Sequence, residues 1–168
     1  MIGQLAYTTF NTIMGWVGIL GSIKGIQRTT LPQPSAQDAR RLLGKPLDYA
    51  EPAPILFQDL IERFQAYFNG DKIDFSYKFD LSGTTPFQRQ VWAVTRLIPY
   101  GDTRSYKWVA EQIGKSRASR AVGQALAKNP LPIIVPCHRV INTDGRLGGF
   151  GGGLTMKRQL LQLEAQAK

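Results

Sequence analysis

The sequence predicts an α+β fold: a small amino-terminal antiparallel sheet with helices, followed by a mainly helical carboxy-terminal domain that contains a helix-turn-helix. Three observations predict it. Short β-rich runs separated by Asn or Gly occupy the start of the chain. Helical spacing of apolar residues dominates after Gly83. A glycine-containing turn there joins two short helical segments. Because 168 residues with 43% apolar content suit one compact domain or two small ones, we divide the chain into domains 1–82 and 83–168.

The first half alternates strand and helix patterns. Strands are predicted at residues 5–10, 14–20, 23–29 and 75–81. Ser35 is a predicted N-cap for a helix ending at Leu43, and residues 55–68 have apolar side chains at helical spacing. The apolar start of the chain has no basic n-region and is interrupted by Thr, Asn and Gly, so it is neither a signal peptide nor a membrane span.

The second half is predicted to be helical. Helices are expected over residues 86–97, 105–113 and 116–128. Thr85 and Gln88 form a capping box for the first helix, and Gly114 lies in the turn between the other two. Residues 133–135 are an apolar run that predicts a strand, and Pro136 would end this strand because it has no N–H to donate.

The net charge of +9 is confined to the second half of the chain. Residues 1–82 hold eight Lys/Arg and eight Asp/Glu, whereas residues 83–168 hold thirteen Lys/Arg and four Asp/Glu. A basic half beside a neutral one is typical of a polyanion-binding module, with nucleic acid the leading candidate. A solvated surface that serves solubility is the alternative.

The helix predicted over residues 116–128 has a small and basic outer face. Its inward stripe is predicted at Ala118, Ala121, Val122, Ala125 and Leu126, which leaves Arg117, Arg120, Gly123, Gln124 and Ala127 outside. Small residues let a helix backbone approach DNA closely, as a narrow minor groove requires. The alternative is a buried helix whose Ala and Gly serve close helix packing.

The only cysteine of the chain, Cys137, stands directly before its only histidine, His138, and Arg139 follows. A thiolate is the most nucleophilic side chain near neutral pH, and a neighbouring imidazole and guanidinium can stabilise it. In an extended chain Cys137 and His138 would point to opposite sides, so we expect a bridging water or a local helical turn. A buried, inert thiol is the alternative.

These residues resemble the active-site motif of the O6-alkylguanine-DNA alkyltransferases. The motif is Pro136-Cys137-His138-Arg139-Val140, preceded by Asn129-Pro130-x-Pro132 and by Arg120-Ala121-Val122-Gly123. The similarity extends from Phe87 to Glu164 and covers essentially the whole second half. It implies a DNA repair protein that transfers the alkyl group of O6-alkylguanine, and more weakly of O4-alkylthymine, irreversibly to its own cysteine.

The resemblance also implies roles for individual residues. Cys137 would be the nucleophile, His138 would relay the thiol proton through a water, Glu164 would orient the imidazole, and Asn129 would support the turn. Arg120 would enter the duplex in place of the flipped nucleotide, and Tyr106 would push the target phosphate and donate toward the base. Substrate or DNA contacts are further expected at Ala121, Gly123, Phe150, Gly151, Lys107, Lys115, Gln88, Arg89 and Thr143. The sequence leaves an alternative for two of these residues. Tyr106 could be a plain core tyrosine, and Glu164 could be a solvated charge.

Phe150 and Gly151 depart from the family pattern, in which a Tyr-Ser pair occupies these positions. Phe150 can stack on a base but has no hydroxyl to donate, and Gly151 offers only its backbone N–H. A non-catalytic DNA-lesion binder of the same fold, and a cysteine hydrolase that uses Cys137 and His138, are the other hypotheses.

The composition predicts the cofactors, partners and compartment. One Cys and one His cannot fill a zinc site, and no cofactor motif occurs, so we expect neither metal nor cofactor. A lone cysteine gives no intramolecular disulfide and no sign of an oxidising compartment. We therefore expect a cytoplasmic protein that binds no membrane. The family resemblance further implies a monomer, nucleoid-associated when bound, whose partner is double-stranded DNA with an alkylated guanine, contacted through the minor groove.

Overall fold

A computed structural model describes residues 4–167, while Met1–Gly3 and Lys168 lie outside the described part, including the first residues of the apolar amino-terminal run. The chain divides into two compact units, one that ends at Ser82 and one that spans Gly83–Ala167. The first unit contains a sheet with helices and the second is mainly helical, so the predicted α+β class is confirmed.

The first unit contains a four-stranded sheet. Its strands are β1 (Leu5–Thr12), β2 (Gly15–Ser22), β3 (Gly25–Thr29) and β4 (Ala50–Pro52). They lie in the order β3-β2-β1-β4, and the first three pair antiparallel as predicted. Strand β4 pairs parallel with β1 and was not predicted, because it is only three residues long and ends on a proline.

Two helices of this unit pack against the sheet through apolar side chains. Helix α1 (Ala36–Leu42) begins after Ser35, whose hydroxyl accepts the Asp38 N–H at 3.1 Å, as the capping pattern predicts. Helix α2 (Gln58–Phe68) follows a short 3₁₀ turn. Its Phe64 ring lies 5.9 Å from that of Phe10 on β1, centroid to centroid, so α2 packs against the sheet through aromatic contacts.

The strand predicted over residues 75–81 is wrong. This segment runs beside β3 but forms only one isolated bridge, between Ile26 and Phe79. The Asp80 N–H donates to the Ile26 carbonyl at 3.0 Å, and the Asp80 carboxylate then accepts from both the N–H and the hydroxyl of Ser82. Local bonds to an aspartate compete with the strand ladder, and the alternation of apolar residues alone does not reveal this.

The second unit is built from four helices and two very short strands. They are α3 (Pro86–Thr95), β5 (Arg104–Ser105), α4 (Tyr106–Gln112), α5 (Ser119–Ala127), β6 (Val140–Ile141) and α6 (Leu154–Gln166). Thr85 and Gln88 make both bonds of the predicted capping box at the start of α3. No described helix combines the length and the apolar character needed to cross a bilayer.

Helices α4 and α5 form the predicted helix-turn-helix, with Gly114 at φ +74° in the turn. Helix α5 starts at Ser119, three residues later than predicted, because the Ala118 N–H bonds to the Lys115 carbonyl at 2.9 Å and closes a turn first. The Trp92 indole donates to the Ala125 carbonyl at 2.9 Å and so joins α3 to α5.

The strand predicted over residues 133–135 is also wrong. The Val135 N–H donates back to the Leu131 carbonyl at 2.8 Å, which closes a tight turn. Ile133 lies at φ +75°, a left-handed conformation that β-branched residues rarely adopt. Burial of this apolar run explains its composition, since Ile133 is only 2% exposed. The segment therefore delivers the chain to Pro136 as a compact loop.

Candidate active site

The cysteine lies on a short helical turn that other residues hold in place. Residues Cys137–Arg139 form a 3₁₀ turn, so a local helical turn, one of the two expected arrangements, is present. The Asn129 side chain clamps the preceding loop: its Nδ2 donates to the Val135 carbonyl and its Oδ1 accepts the Leu131 N–H, both at 2.9 Å. Asn129 thus braces the loop that leads to Cys137.

Behind the cysteine lies a buried charged cluster of His138, Arg139 and Glu164. The His138 Nε2 lies 2.7 Å from Glu164 Oε1, and both side chains are almost fully buried. The Arg139 guanidinium makes a fork on the same carboxylate, with Nε to Oε2 and Nη2 to Oε1, each at 2.9 Å. Glu164 is therefore a buried, paired acid, which excludes the solvated alternative.

These contacts determine the charge states of the cluster. Burial alone would raise the pKa of Glu164, but the hydrogen bonds from His138 and Arg139 lower it to about 2. Burial lowers the pKa of His138 below its usual value, although Glu164 opposes this shift. Because an ionised carboxylate only accepts, the neutral imidazole carries its hydrogen on Nε2 and has its lone pair on Nδ1.

Cys137 itself is 9% exposed. Burial raises the pKa of its thiol, and the Asn129 side chain and the positive charge of Lys157 oppose that rise without overcoming it. The resting form is therefore the thiol, and a base must take its proton before the sulfur can attack.

An open pocket of about 800 Å³ is lined by Cys137 and by side chains of both helices of the helix-turn-helix. Predicted residues that line it are Tyr106, Arg120, Gly123, Phe150 and Gly151. Its volume lies within the range of small-molecule sites. Ser119, Gln124 and Asn142 line it as well and were not predicted as site residues. Gln124 was only placed on the outer face of its helix.

Tyr106 forms part of the pocket wall and is not a plain core tyrosine. A Cβ added at Gly148, where φ is +73°, would come within 2.7 Å of the Tyr106 hydroxyl, so only glycine fits there. At Gly123 an added Cβ would be 3.7 Å from the same ring, an ordinary contact. The glycine-rich segment of the pocket wall, residues 148–153, thus lies closest to Tyr106 at Gly148.

Lys157 is a buried cation that sequence reasoning missed. It is 0% exposed, and its Nζ donates to the carbonyls of Val140 at 2.7 Å, Leu147, and Gly149 at 3.3 Å. Burial lowers the pKa of Lys157 to about 8. Its position three residues into a terminal helix gave no signal, because a lysine there is ordinarily solvated.

The remaining predicted residues lie on the surface of this unit. Arg120 is exposed at the edge of the pocket. Ala121 is also exposed, so its placement on the inward stripe of α5 was wrong: it lies at the edge of the buried stripe formed by Val122, Ala125 and Leu126. The other predicted contacts with DNA lie outside the pocket lining: Lys107, Lys115, Gln88, Arg89 and Thr143.

Several of those outer residues have local partners. Lys107 lies 3.9 Å from Glu111, and Lys115 lies over the ring of Phe87. The Gln88 side chain is engaged in the cap of α3, and Arg89 donates to the Thr84 carbonyl. These contacts lie on the protein surface, where an ion pair such as that of Lys107 contributes little to stability.

Comparisons with known proteins agree with this geometry. Residues 86–166 match the family model described as 6-O-methylguanine DNA methyltransferase, DNA binding domain. A methylated-DNA–protein-cysteine methyltransferase of Methanosarcina barkeri is 39% identical over 158 residues, which is 94% of this chain and 96% of the relative. The chain belongs to the methylated-DNA–protein-cysteine methyltransferase family. The resemblance predicted from the sequence is confirmed.

A second relative and a solved structure show the same similarity. A Mycobacterium bovis methylated-DNA–protein-cysteine methyltransferase is 50% identical over 113 residues, covering 67% of this chain and 68% of the relative. The crystal structure of Mycobacterium tuberculosis OGT in complex with DNA is 40% identical, with a TM-score of 0.81, and the match covers 95% of this chain and 92% of that one. As a member of this family, the chain is a DNA-repair protein that acts by alkyl transfer.

Proposed function

We propose that this protein repairs O6-alkylguanine in double-stranded DNA, and more weakly O4-alkylthymine, by moving the alkyl group irreversibly to Cys137. The observation that carries the proposal is the buried thiol that lines the pocket, next to an imidazole held by a paired carboxylate. A binder that only recognises lesions has no use for such an arrangement, and Cys137 and His138, as residues adjacent in sequence, make a poor dyad for a hydrolase.

The reaction needs four steps. The alkylated nucleotide leaves the stack, at a cost of about a few kcal/mol, and Arg120 fills the space it vacates. Tyr106 pushes the adjacent phosphate and donates to the base. His138 takes the Cys137 proton through a water, and Glu164 stabilises the resulting imidazolium. The sulfur then attacks the alkyl carbon in line, the C–O bond breaks, the guanine takes up the proton, and a thioether remains.

The pocket and the charge distribution support this sequence of events. Phe150 offers a face for base stacking and Gly151 offers a backbone N–H toward the guanine O6. The outer side of α5 carries exposed Arg120 and Ala127 beside the small Gly123, and exposed Arg117 lies in the turn before it, which suits a helix in the minor groove. Lys107, Lys115, Gln88, Arg89 and Thr143 are proposed contacts with the DNA backbone.

We further propose that residues 83–168 bind DNA and transfer the alkyl group while residues 1–82 support that domain. One thiol per chain and one lesion per reaction require no second copy, so the protein is proposed to act as a monomer. A DNA substrate implies action in the cytoplasm, at the nucleoid.

The proposal is tested by intact-mass spectrometry after incubation with duplex DNA that carries O6-methylguanine. We expect the protein to gain one methyl group in place of the thiol hydrogen, and peptide mapping to locate it on Cys137. The Cys137→Ala variant should show no gain while still binding the duplex. A wild-type protein that binds the lesion without any mass change would be a lesion binder, and a methyl group found elsewhere would remove Cys137 as the acceptor.

A further inference from the structure

Glu164 accepts hydrogen bonds from two neighbouring residues of the same turn. His138 Nε2 lies 2.7 Å from Oε1, while Arg139 reaches both oxygens through Nε and Nη2 at 2.9 Å. Glu164 is 3% exposed and Arg139 is 8% exposed, so water screens these charges little. The charge of His138 therefore depends on how the carboxylate is shared.

We propose that Arg139 is a positioning residue for alkyl transfer: it holds Glu164 ionised and oriented, and it keeps His138 neutral so that the imidazole can take the Cys137 proton. The proposal rests on the alkyl transfer to Cys137 proposed above, and it adds a residue whose effect passes through Glu164 and His138.

Without Arg139, the carboxylate of Glu164 and the imidazole of His138 would form an isolated buried pair. A buried carboxylate 2.7 Å from an imidazole favours the imidazolium, and an imidazolium has no lone pair for a thiol proton. The Arg139 guanidinium cancels most of the carboxylate charge. His138 is then beside a nearly neutral ion pair, and its Nδ1 keeps the lone pair.

Apart from Glu164, the other influences on His138 either lower its pKa or come from remote groups. Burial is the largest influence that lowers the pKa of His138; Glu164 opposes it, and Arg139 and Lys157 add to it. Cys137 is a thiol at rest on the same turn. Helix α3 also packs on this turn, but its charged residues Arg89 and Arg96 are exposed.

Arg139 is fixed by more than its ion pair. Its Nη1 donates to the Ile98 carbonyl at 2.8 Å, and its guanidinium lies 5.5 Å from the centre of the Tyr100 ring. A guanidinium held on three sides presents its fork to Glu164 in one orientation. Lysine at this position would keep the positive charge but lose the two-pronged hydrogen bonding to Glu164. Comparing Arg139→Lys with a neutral variant therefore separates the effect of the charge from the effect of the orientation.

The chain offers a direct readout, because His138 is its only histidine. Imidazole NMR signals of the DNA-free protein across a pH titration therefore report on this ring alone. We expect Arg139→Met to raise the titration midpoint of His138 by about one pH unit or more. Arg139→Lys should raise it less than half as far. The control is Arg146→Met, in an exposed turn, where the midpoint should not move.

The same variants are assayed for alkyl transfer between pH 6 and pH 9. In Arg139→Met the rate should fall about threefold or more near pH 6 and recover toward pH 9, where the ring is again neutral. An equal loss at every pH, or an unchanged midpoint in a folded variant, would overturn the proposal. Should Arg139→Met not fold, Arg139→Gln, which also removes the positive charge, decides: an unchanged midpoint would equally overturn the proposal.

The two proposals fail in different ways. The histidine titration is measured without DNA and needs no alkyl transfer. A wild-type protein that gains no methyl group would refute the transfer and leave the titration result standing. A methylated wild type whose His138 midpoint ignores Arg139 would refute the positioning role alone.

Discussion

At the scale of single residues, Cys137 shows how a reactive thiol can be kept unreactive until its substrate arrives. Burial raises its pKa, so the exposed, low-pKa state that makes cysteines prone to oxidation does not exist at rest. The proposed general base, His138, is adjacent in sequence and fully buried. We expect the thiol to react only once a target nucleobase is bound in the pocket. This would suit a protein whose single thiol can react only once.

Lys157 provides the first test at this scale. Its ammonium group donates to three carbonyls, two of them in the segment that leads into the glycine-rich pocket wall. Lys157→Met keeps the length of the side chain but removes the donors. We expect the free energy of unfolding to fall by about 1–3 kcal/mol and alkyl transfer to slow at least about tenfold.

Urea unfolding and single-turnover rates measure these two effects. The matched control is Arg158→Met, the next residue of α6, which is exposed and loses the same charge. Equal losses in the two variants would show that the charge alone matters and that the anchoring of the wall does not.

At the scale of elements, helix α5 and the glycine-rich segment form opposite walls of one pocket. Helix α5 contributes Arg120 and Gly123, and the segment contributes Phe150 and Gly151. Tyr106 lies between them, close to both Gly123 and Gly148. The local conformation of each wall therefore decides whether a base fits.

Arg120→Ala tests the role proposed for α5. The side chain is needed only while a nucleotide is held out of the duplex, so repair of O6-methylguanine in duplex DNA should slow about tenfold or more. Reaction with free O6-benzylguanine, which needs no extrusion, should change less than about threefold. Single-turnover rates on both substrates measure this.

Arg117→Ala, an exposed arginine of the turn before α5 that does not line the pocket, is the matched control. It should lower affinity for duplex DNA without separating the two substrates. Equal slowing of both substrates by Arg120→Ala would remove the role in extrusion.

Gly148→Ala tests the other wall. The added methyl group meets the Tyr106 hydroxyl at 2.7 Å on a backbone with φ +73°, so the side chain or the loop must move. We expect a lower melting temperature and slower transfer to Cys137 from both duplex and free base. At Gly149 the added group meets nothing within 4 Å, and Gly149→Ala should keep the wild-type melting temperature. Identical melting curves for the two variants would contradict this account of the wall.

The elements also show what sequence patterns can and cannot predict. Strands β1 to β3, the caps at Ser35 and Thr85, and the helix-turn-helix follow from local chemistry and were predicted. The sequence predicts a strand at residues 133–135 because an apolar run indicates burial but does not indicate the backbone conformation. Lys157 was missed because its partners are backbone carbonyls, which have no identity in a sequence.

The sequence and the family resemblance predicted more of the candidate site than of the loops around it. The adjacency of Cys137 and His138 in sequence limited their geometry to a few arrangements. The contact between His138 and Glu164 joins residues 26 positions apart, and only the family resemblance predicted it. The fork of Arg139 on Glu164 depends on how α6 packs against the turn, which no local pattern contains.

At the scale of the whole molecule, the positive charge is segregated in the half that carries the pocket. Residues 83–168 hold thirteen Lys/Arg against four Asp/Glu, and of these Arg139, Lys157 and Glu164 are buried. The remaining excess produces a field that attracts DNA irrespective of sequence. Affinity for undamaged duplex should therefore depend steeply on salt.

A salt titration of DNA binding measures this field. If about four phosphates are neutralised, affinity should fall about a hundredfold between 50 and 200 mM salt. The double variant Lys107→Ala, Lys115→Ala should reduce the slope of log affinity against log salt by up to about 2. The double variant Lys24→Ala, Lys78→Ala in the neutral half is the control. An equal change of slope in both would contradict the assignment of DNA binding to residues 83–168.

The central claim is that Cys137 is both the reagent and the final site of the product. The most direct measurement counts the guanines restored per protein molecule when a large excess of O6-methylguanine duplex is incubated with limiting protein. The account predicts a plateau at one restored guanine per chain, with an equal amount of S-methylated Cys137. Continued repair beyond one per chain would contradict it, because it would require a route that regenerates the thiol.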